Sequence, residues 1–248
     1  MFFPTDISVK NFLNLHNVKY ENKLLNHYNY PRVVSLSDFY RLSKELNLKN
    51  FKKVAVVSGS QDEPELKLIN FVDLDILQFN ENSNLFNLDV DWKMIPSNKN
   101  NNYQFYKSRE AKYDFIFCNQ VFEHIYSPIQ GINNIKYILK KFGYIWISLP
   151  TINCIHGSPH FYSSGYHPRY LKRLCEESGL KVIQLGAFGN RKYLAYAVQG
   201  KWLTHDECKI GFRSKIDFAH FYFAMTDGRK NDASGKFITD TWILCQKI

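Results

Sequence analysis

The stretch YDFIFCNQVFEHIYSPIQGINNIKYILKKFGYIWISLP, residues 113–150, reads as a buried strand, a helix and a second buried strand. The runs at 113–120 and 144–150 are short and apolar, which is typical of strands covered on both faces. The segment 127–143 between them is predicted to be a helix. Pro128 suits its first turn, and Gly143 suits the position just after its end. This strand–helix–strand order predicts two parallel strands in one sheet.

The same alternation extends in both directions along the chain. Further strands are predicted at residues 54–58, 69–77, 84–92, 180–188 and 238–247, and a short helix at 167–179. Strands that alternate with helices are typical of a doubly wound α/β fold. We therefore expect a Rossmann-like, seven-stranded, mostly parallel sheet with helices on both faces.

Residues 1–50 lack these strand signals. A helix is predicted at 35–48, with Ser35 or Ser37 as its N-cap. Its apolar face would carry Leu36, Phe39, Tyr40, Leu42 and Leu46. We expect a small helical N-terminal cap at 1–50 and a main domain at 51–248, because 50 residues alone would be marginally stable. The segment at 209–237 is predicted to contain a helix and a loop.

Composition narrows the class of protein. The chain has 248 residues, a net charge of +9 and five cysteines without a C-x-x-C pair. This cysteine usage favours a reducing, cytoplasmic location over a disulfide framework. No window approaches the ~18 apolar residues of a membrane span, so membrane insertion is not expected. The basic residues are scattered in pairs, which suits a phosphorylated or nucleotide-linked small molecule as well as a polynucleotide.

Ligands of such sheets bind beyond the carboxyl ends of the strands. The residues that follow the first four predicted strands are therefore candidates for cofactor binding. They are Ser58, Gly59, Ser60 and Gln61, then Asp73 and Asp75, then Asp89 and Val90, and finally Cys118, Asn119 and Gln120. A dinucleotide fingerprint is absent, because Gly59 stands alone where G-x-G-x-x-G would be needed. Trp92 is expected to stack on a base.

Three segments together resemble class I S-adenosylmethionine-dependent methyltransferases of the type-11/12 group, in particular its glycan-associated branch. They are YDFIFCNQVFEHIYSP at 113–128, SPHFYSSGYHPRYLKRLCEESGLKVIQLGAFGNR at 158–191 and TDTWILCQK at 239–247. The resemblance covers residues 52–248 and implies S-adenosylmethionine as the cofactor and an antiparallel last strand. The chain departs from the group in its first turn, which is SGS rather than G-x-G. Glu63 or Glu65 could bind the amino group of the cofactor instead.

Methyl transfer to a hydroxyl needs alignment of the acceptor and benefits from a base. The candidates for catalysis are His124, His156, His160 and Tyr162, and the candidates for substrate binding are Glu123, Tyr166, His167, Arg169 and Arg191. His124 could instead be a capping or core histidine, and the other two histidines could belong to a lid without chemistry. No metal is expected, because His156 and His160 form an H-x-x-x-H pattern without its usual glutamate.

We expect O-methylation of a small sugar-, nucleotide- or phosphate-containing precursor of surface polysaccharide. Two alternatives stay open. The net charge allows an RNA or protein methyltransferase, and the eroded glycine turn allows a catalytically silent scaffold with the same fold. The sequence predicts no oligomeric state.

Overall fold

A seven-stranded sheet forms the centre of the computed structural model, which describes residues 30–79, 86–96, 101–153, 155–190, 199, 218–223 and 238–248. The strands are β1 (Phe51–Val57), β2 (Phe71–Leu77), β3 (Tyr113–Asn119), β4 (Leu139–Pro150), β5 (Leu180–Asn190), β6 (Phe218–Phe223) and β7 (Asp240–Lys247). Their order across the sheet is β2-β1-β3-β4-β7-β5-β6.

The pairing of the strands confirms a mostly parallel α/β sheet. β1 runs parallel to β2 and β3, and β3 runs parallel to β4. β7 is antiparallel to both β4 and β5, as the resemblance implied for the last strand. The carboxyl ends of β1, β2, β3 and β4 therefore meet at one edge, which we call the carboxyl edge.

Four α-helices and three short 3₁₀ turns are described. The helices are α1 (Tyr30–Glu45), α2 (Asn101–Lys107), α3 (Pro128–Ile138) and α4 (Pro168–Glu177), and the 3₁₀ turns are Pro64–Leu68, Trp92–Met94 and Phe122–His124. Residues of α3 and α4 contribute to the apolar core on one face of the sheet, and residues of α1 to the core on the other face. No helix among the described residues is both long enough and apolar enough to cross a membrane.

The helix predicted at 167–179 is confirmed by α4. The His167 side chain accepts a hydrogen bond from the Arg169 backbone N–H at the start of this helix. Gly179 follows the last turn with φ +75°, a left-handed conformation that glycine adopts without a steric cost.

Three sequence predictions of local structure are wrong. The apolar run at 84–92 does not form a strand over its described residues 86–92, which make turns. β6 is a strand inside the segment predicted to contain a helix and a loop. α3 ends at Ile138 rather than near Gly143, because β4 already begins at Leu139.

α1 packs on the sheet through aromatic and apolar side chains. Leu36, Phe39 and Leu42 are buried, as predicted for the apolar face, whereas Leu46 is exposed. The helix begins five residues before Ser35, so the two predicted N-cap serines lie inside it. The Phe39 ring packs edge-on against Trp146 at a centroid distance of 5.0 Å. The division of the chain at residues 50 and 51 stays a prediction, and residues 1–29 of the predicted cap lie outside the described part.

Asp75, which lies inside β2, is the centre of a charged cluster. Its carboxylate accepts a hydrogen bond from the Tyr113 hydroxyl and pairs with the Nζ atoms of Lys53 at 2.7 Å and Lys112 at 3.1 Å. Burial alone would raise the pKa of Asp75, but the bonds from Lys53, Tyr113 and Lys112 lower this pKa to about 2. The ionised carboxylate therefore stabilises the folded chain.

We expect Asp75→Asn to lower the free energy of unfolding by about 1 kcal/mol at pH 7, a value discounted for partial solvent screening. The lowered pKa makes this contribution fully present above the ordinary aspartate pKa, and it disappears as the pH falls from about 4 toward 2. Urea unfolding of both proteins at pH 7, 4 and 3 measures the difference. Asp73→Asn is the matched control, since Asp73 is 65% exposed and lies 3.9 Å from Lys53. A gap between Asp75→Asn and the parent that widened at low pH would contradict the prediction.

Candidate functional site

The turn after β1 lies at the carboxyl edge. Ser58 has φ +53° and donates its backbone N–H to the Leu77 carbonyl at 2.8 Å, which joins the ends of β1 and β2. A Cβ atom on Gly59 would lie 2.6 Å from Val56 Cγ1 and 2.8 Å from Glu63 Oε1. A side chain at this position would clash with Val56 and with the carboxylate of Glu63, which folds back over the turn.

A row of hydrogen bonds links the ends of β4 and β3 to the segment that follows β1. Ser148 Oγ at the end of β4 donates to Asn119 Oδ1 at 2.7 Å. Asn119 Nδ2 at the end of β3 donates to Glu63 Oε2 at 3.2 Å. The row holds the half-buried carboxylate of Glu63 next to the turn after β1.

Two further segments begin at the carboxyl edge. The 3₁₀ turn Phe122–His124 follows β3, and the loop at 155–166 follows β4. The backbone carbonyl of Glu123 accepts hydrogen bonds from the N–H groups of Tyr162 and Ser163 at 2.8 and 3.2 Å. The hydroxyl of Tyr166 donates to the Phe122 carbonyl at 2.8 Å. These bonds fix the loop against the 3₁₀ turn.

Histidine side chains come together where the loop meets the turn. His124 Nδ1 lies 2.5 Å from the His160 carbonyl oxygen, and a carbonyl only accepts, so Nδ1 carries the proton. The rings of His124 and His156 are perpendicular, with centroids 4.8 Å apart. His160 Nδ1 lies 3.5 Å from the Tyr162 hydroxyl. The structure thus brings together all four residues predicted for catalysis.

Two buried carboxyl groups give this region its electrostatic character. Glu123 is fully buried, and desolvation raises its pKa to about 7. Asp240, at the start of β7, is also buried; desolvation and the nearby Glu123 charge raise its pKa well above the ordinary range. Neither oxygen of Glu123 has a hydrogen-bond partner among the described residues. The buried carboxyl groups of Glu123 and Asp240 therefore favour the binding of a proton or a cation in this region.

Other predicted cofactor residues lie elsewhere. Asp75 is engaged by the lysines described above, and Asp73 is largely exposed beside it. The Asp89 carboxylate accepts from the backbone N–H groups of Tyr126 and Ser127 before α3, so it fastens a loop. The Cys118 side chain is fully buried in the core. The structure therefore brings Ser58, Gly59, Ser60, Gln61, Asn119 and Gln120 to the carboxyl edge but not Asp73, Asp75 or the Cys118 side chain.

Three further predictions concern neighbouring positions. Trp92 is buried and stacks on Tyr106 at a centroid distance of 4.5 Å, so the predicted stacking on a base is wrong. Val90 binds α3 through its carbonyl, which accepts from Asn134 Nδ2. Arg191 lies outside the described residues.

The predicted substrate residues separate into two groups. Tyr166 is buried and Glu123 forms the base of the histidine cluster, whereas His167 and Arg169 lie exposed at the start of α4. Both groups remain proposals as substrate ligands.

Gln78 was missed by the sequence analysis. It directly follows β2, and its Nε2 donates to the Gly59 carbonyl at 3.2 Å. The position of Gln78 directly after a strand is a signal for a place at the carboxyl edge. The sequence favours Asp73 and Asp75 instead, because ribose hydroxyls bind carboxylates.

Comparison with known proteins shows the family of the chain. The family model described as "Methyltransferase domain" matches residues 41–185, more than half of the chain, and the chain belongs to this family. It is a class I methyltransferase that uses S-adenosylmethionine as its cofactor. This finding supports the class and not its glycan-associated branch, which stays part of the proposal below. No curated protein matches the sequence.

Three solved structures illustrate the similarity. A SAM-dependent methyltransferase from Archaeoglobus fulgidus is 14% identical, with 87% of this chain and 94% of that chain covered and a TM-score of 0.45. A putative methyltransferase from Bacillus halodurans is 12% identical, with 85% and 99% covered and a TM-score of 0.42. A putative sarcosine dimethylglycine methyltransferase from Galdieria sulphuraria is 12% identical, with 98% of each chain covered and a TM-score of 0.43.

The carboxyl edge fits this cofactor in one respect that the structure shows directly. The donor carries an ammonium group and a sulfonium centre, and the Glu63 carboxylate is held at the edge by Asn119. The carboxylate of Glu63 thus lies beside the turn in which the sequence lacks the G-x-G pattern.

Proposed function

We propose that the chain transfers the methyl group of S-adenosylmethionine to a hydroxyl oxygen of a small anionic acceptor. The acceptor class is a sugar-, nucleotide- or phosphate-containing precursor of surface polysaccharide, and the location is cytoplasmic. The observation that carries the proposal is the fixed cluster of His124, His156, His160 and Tyr162, on segments that leave β3 and β4 at the same edge as the Glu63–Asn119 row. Proton-accepting groups are useful for a hydroxyl acceptor, whose proton must leave as the methyl group arrives.

The roles of the residues follow from their positions. Glu63, with Ser58, Gly59, Ser60, Gln61, Asn119 and Gln120 around it, binds the cofactor at the carboxyl edge. The loop at 155–166 covers the acceptor and limits its contact with water. His160 and Tyr162 take up the proton that the acceptor hydroxyl releases. Arg169 at the start of α4 attracts the anionic part of the acceptor.

The test is release of S-adenosylhomocysteine by the full chain. S-adenosylmethionine is supplied with separate pools of nucleotide sugars, sugar phosphates and neutral sugars, and the product is quantified by mass spectrometry. We expect release with an anionic pool and a mass gain of one methyl group on the acceptor. Release with none of these pools, by a chain that binds S-adenosylhomocysteine, would contradict the proposed acceptor class.

The net charge of +9 favours RNA as the second candidate acceptor. An RNA methyltransferase would bind RNA with an affinity that falls steeply as salt rises, because phosphate contacts release counterions. Filter binding at increasing salt separates the two functions. Steep salt-dependent RNA binding would replace the small-molecule acceptor by RNA. Calorimetry with S-adenosylhomocysteine tests the third alternative, since a silent scaffold would bind none.

A further inference from the structure

Glu123, His124 and His156 have the chemistry and the proximity of metal ligands. One carboxylate oxygen of Glu123 and one ring nitrogen of each histidine all lie within 4.8 Å of one another. Glu123 and His124 are neighbours in the 3₁₀ turn after β3, and His156 comes from the loop after β4. Two imidazole nitrogens and one carboxylate oxygen form a donor set that suits zinc and similar divalent ions.

The Glu123 carboxylate is a buried polar group that has no hydrogen-bond partner in the described part of the chain. It is fully buried, and among the described residues neither oxygen accepts a hydrogen bond. The ion pairs of the described residues also do not include it. Burial of a carboxylate without compensation costs several kcal/mol. A cation at the cluster would compensate this charge.

His124 is oriented as a metal-bound histidine usually is. Its Nδ1–H donates to the His160 carbonyl, which leaves the lone pair on Nε2. A hydrogen bond from the second ring nitrogen to a carbonyl fixes the tautomer and the ring orientation of metal-bound histidines. Gly157 packs against the same ring, and a Cβ there would lie 2.9 Å from His124 Cε1. The ring is therefore held in place by the loop that supplies His156.

We propose that Glu123, His124 and His156 bind a divalent transition-metal ion of the zinc type, with an open coordination position toward the acceptor. Binding of the ion is independent of the proposed function, and only its role rests on that function. In that role it holds the acceptor hydroxyl and favours its ionised form. The hydroxyl proton passes to solvent through His160, the oxygen–methyl bond forms as the sulfur–methyl bond breaks, and a methyl ether and S-adenosylhomocysteine result.

This proposal differs from the expectation drawn from the sequence. The H-x-x-x-H pattern paired His156 with His160 and offered no carboxylate nearby. In the fold, His156 instead contacts His124, and the carboxylate comes from Glu123 on a different segment. His160 contributes its backbone carbonyl to hold the ring of His124.

The test is calorimetric titration of the chelator-treated full chain with Zn²⁺. We expect a single site in the parent protein, and affinity at least tenfold weaker in Glu123→Gln and in His156→Ala. His167→Asn is the matched control, since it removes an exposed imidazole outside the cluster but retains a good helix N-cap. This control should bind Zn²⁺ as the parent does. Co²⁺ absorption of the parent should report the same histidine-containing site.

Equal Zn²⁺ affinity in the parent, Glu123→Gln and His156→Ala would overturn the proposal. His156 is exposed, so its replacement should leave the fold intact, and thermal unfolding verifies this. S-adenosylhomocysteine binding, measured in the same samples without metal, tests the proposed function separately. Cofactor binding without a zinc site would contradict the metal site alone. A zinc site without cofactor binding would contradict the proposed function alone.

Discussion

Glu63→Gln is expected to weaken the binding of S-adenosylhomocysteine about 30-fold, because a charged hydrogen bond of about 2 kcal/mol to the ligand's ammonium group is lost. The substitution keeps the size of the side chain and an oxygen that accepts from Asn119 Nδ2. It removes only the negative charge, which sits half-buried at the carboxyl edge, where water screens it less than at an open surface.

Isothermal titration of both proteins with S-adenosylhomocysteine measures this effect. Glu110→Gln is the matched control, because it removes the same charge from a residue that precedes β3 at the opposite end of the sheet. Asn119→Ala should weaken binding in the same direction as Glu63→Gln, since it frees the Glu63 carboxylate. Unchanged affinity in Glu63→Gln would exclude Glu63 as the ammonium ligand.

The second large effect is structural. Gly186→Ala is expected to lower the free energy of unfolding by about 3 kcal/mol, since overpacking of a filled core carries a cost of this order. Gly186 lies opposite Trp242 in the β5–β7 pairing. A Cβ at this position would lie 2.3 Å from two carbon atoms of the Trp242 ring. The ring has little freedom to move, because it stacks on Trp146 and donates its Nε1–H to Asp38.

Chemical denaturation measures the change, and a double-mutant cycle identifies its cause. Phenylalanine at position 242 lacks the atoms that the new methyl group would meet. Gly186→Ala should therefore destabilise the Trp242→Phe protein less than it destabilises the parent. Gly131→Ala in α3 is the control, because its Cβ would meet its nearest neighbour at 3.2 Å rather than 2.3 Å. Equal effects of Gly186→Ala in both backgrounds would show that the tryptophan ring is not the cause.

The parallel part of the sheet was predictable because its signals are local. An apolar run such as 144–150 predicts a strand that is buried on both faces, whatever segments surround it in the sequence. The two ends of α4 were equally predictable, since Pro168 fixes φ in the first turn and Gly179 allows the left-handed conformation that ends the helix. The end of α3 was not, because Leu139 leaves the helix to pair with β3.

The missing strand at 84–92 shows a limit of local patterns. Its apolar residues Phe86, Leu88 and Trp92 are buried, as the pattern requires. The backbone groups, however, are bound by side chains instead of a neighbouring strand. Asn134 of α3 donates to the carbonyls of Leu88 and Val90. A bond to a residue more than forty positions away leaves no trace in the periodicity of the segment.

The candidate site divides in the same way. Positions at or just after the ends of strands, such as Asn119 and Gly59, could be placed because the chain direction alone brings them to the carboxyl edge. The contact between His124 and His156 could not, since it depends on how the loop after β4 folds back. The residue type after β2 was no guide to position, since Asp75 binds two lysines whereas Gln78 contacts the turn after β1.

The position of β7 has a consequence for synthesis of the protein. β7 follows every other strand in the chain, yet it lies inside the sheet between β4 and β5. A growing chain can assemble β1, β2, β3 and β4 early, but β5 and β6 have no place in the sheet until β7 leaves the ribosome. The Trp242–Asp38 bond, which spans 204 positions, closes only at that moment. Completion of this fold is thus a late, non-local event, and the exposed edge of β4 would need protection until then.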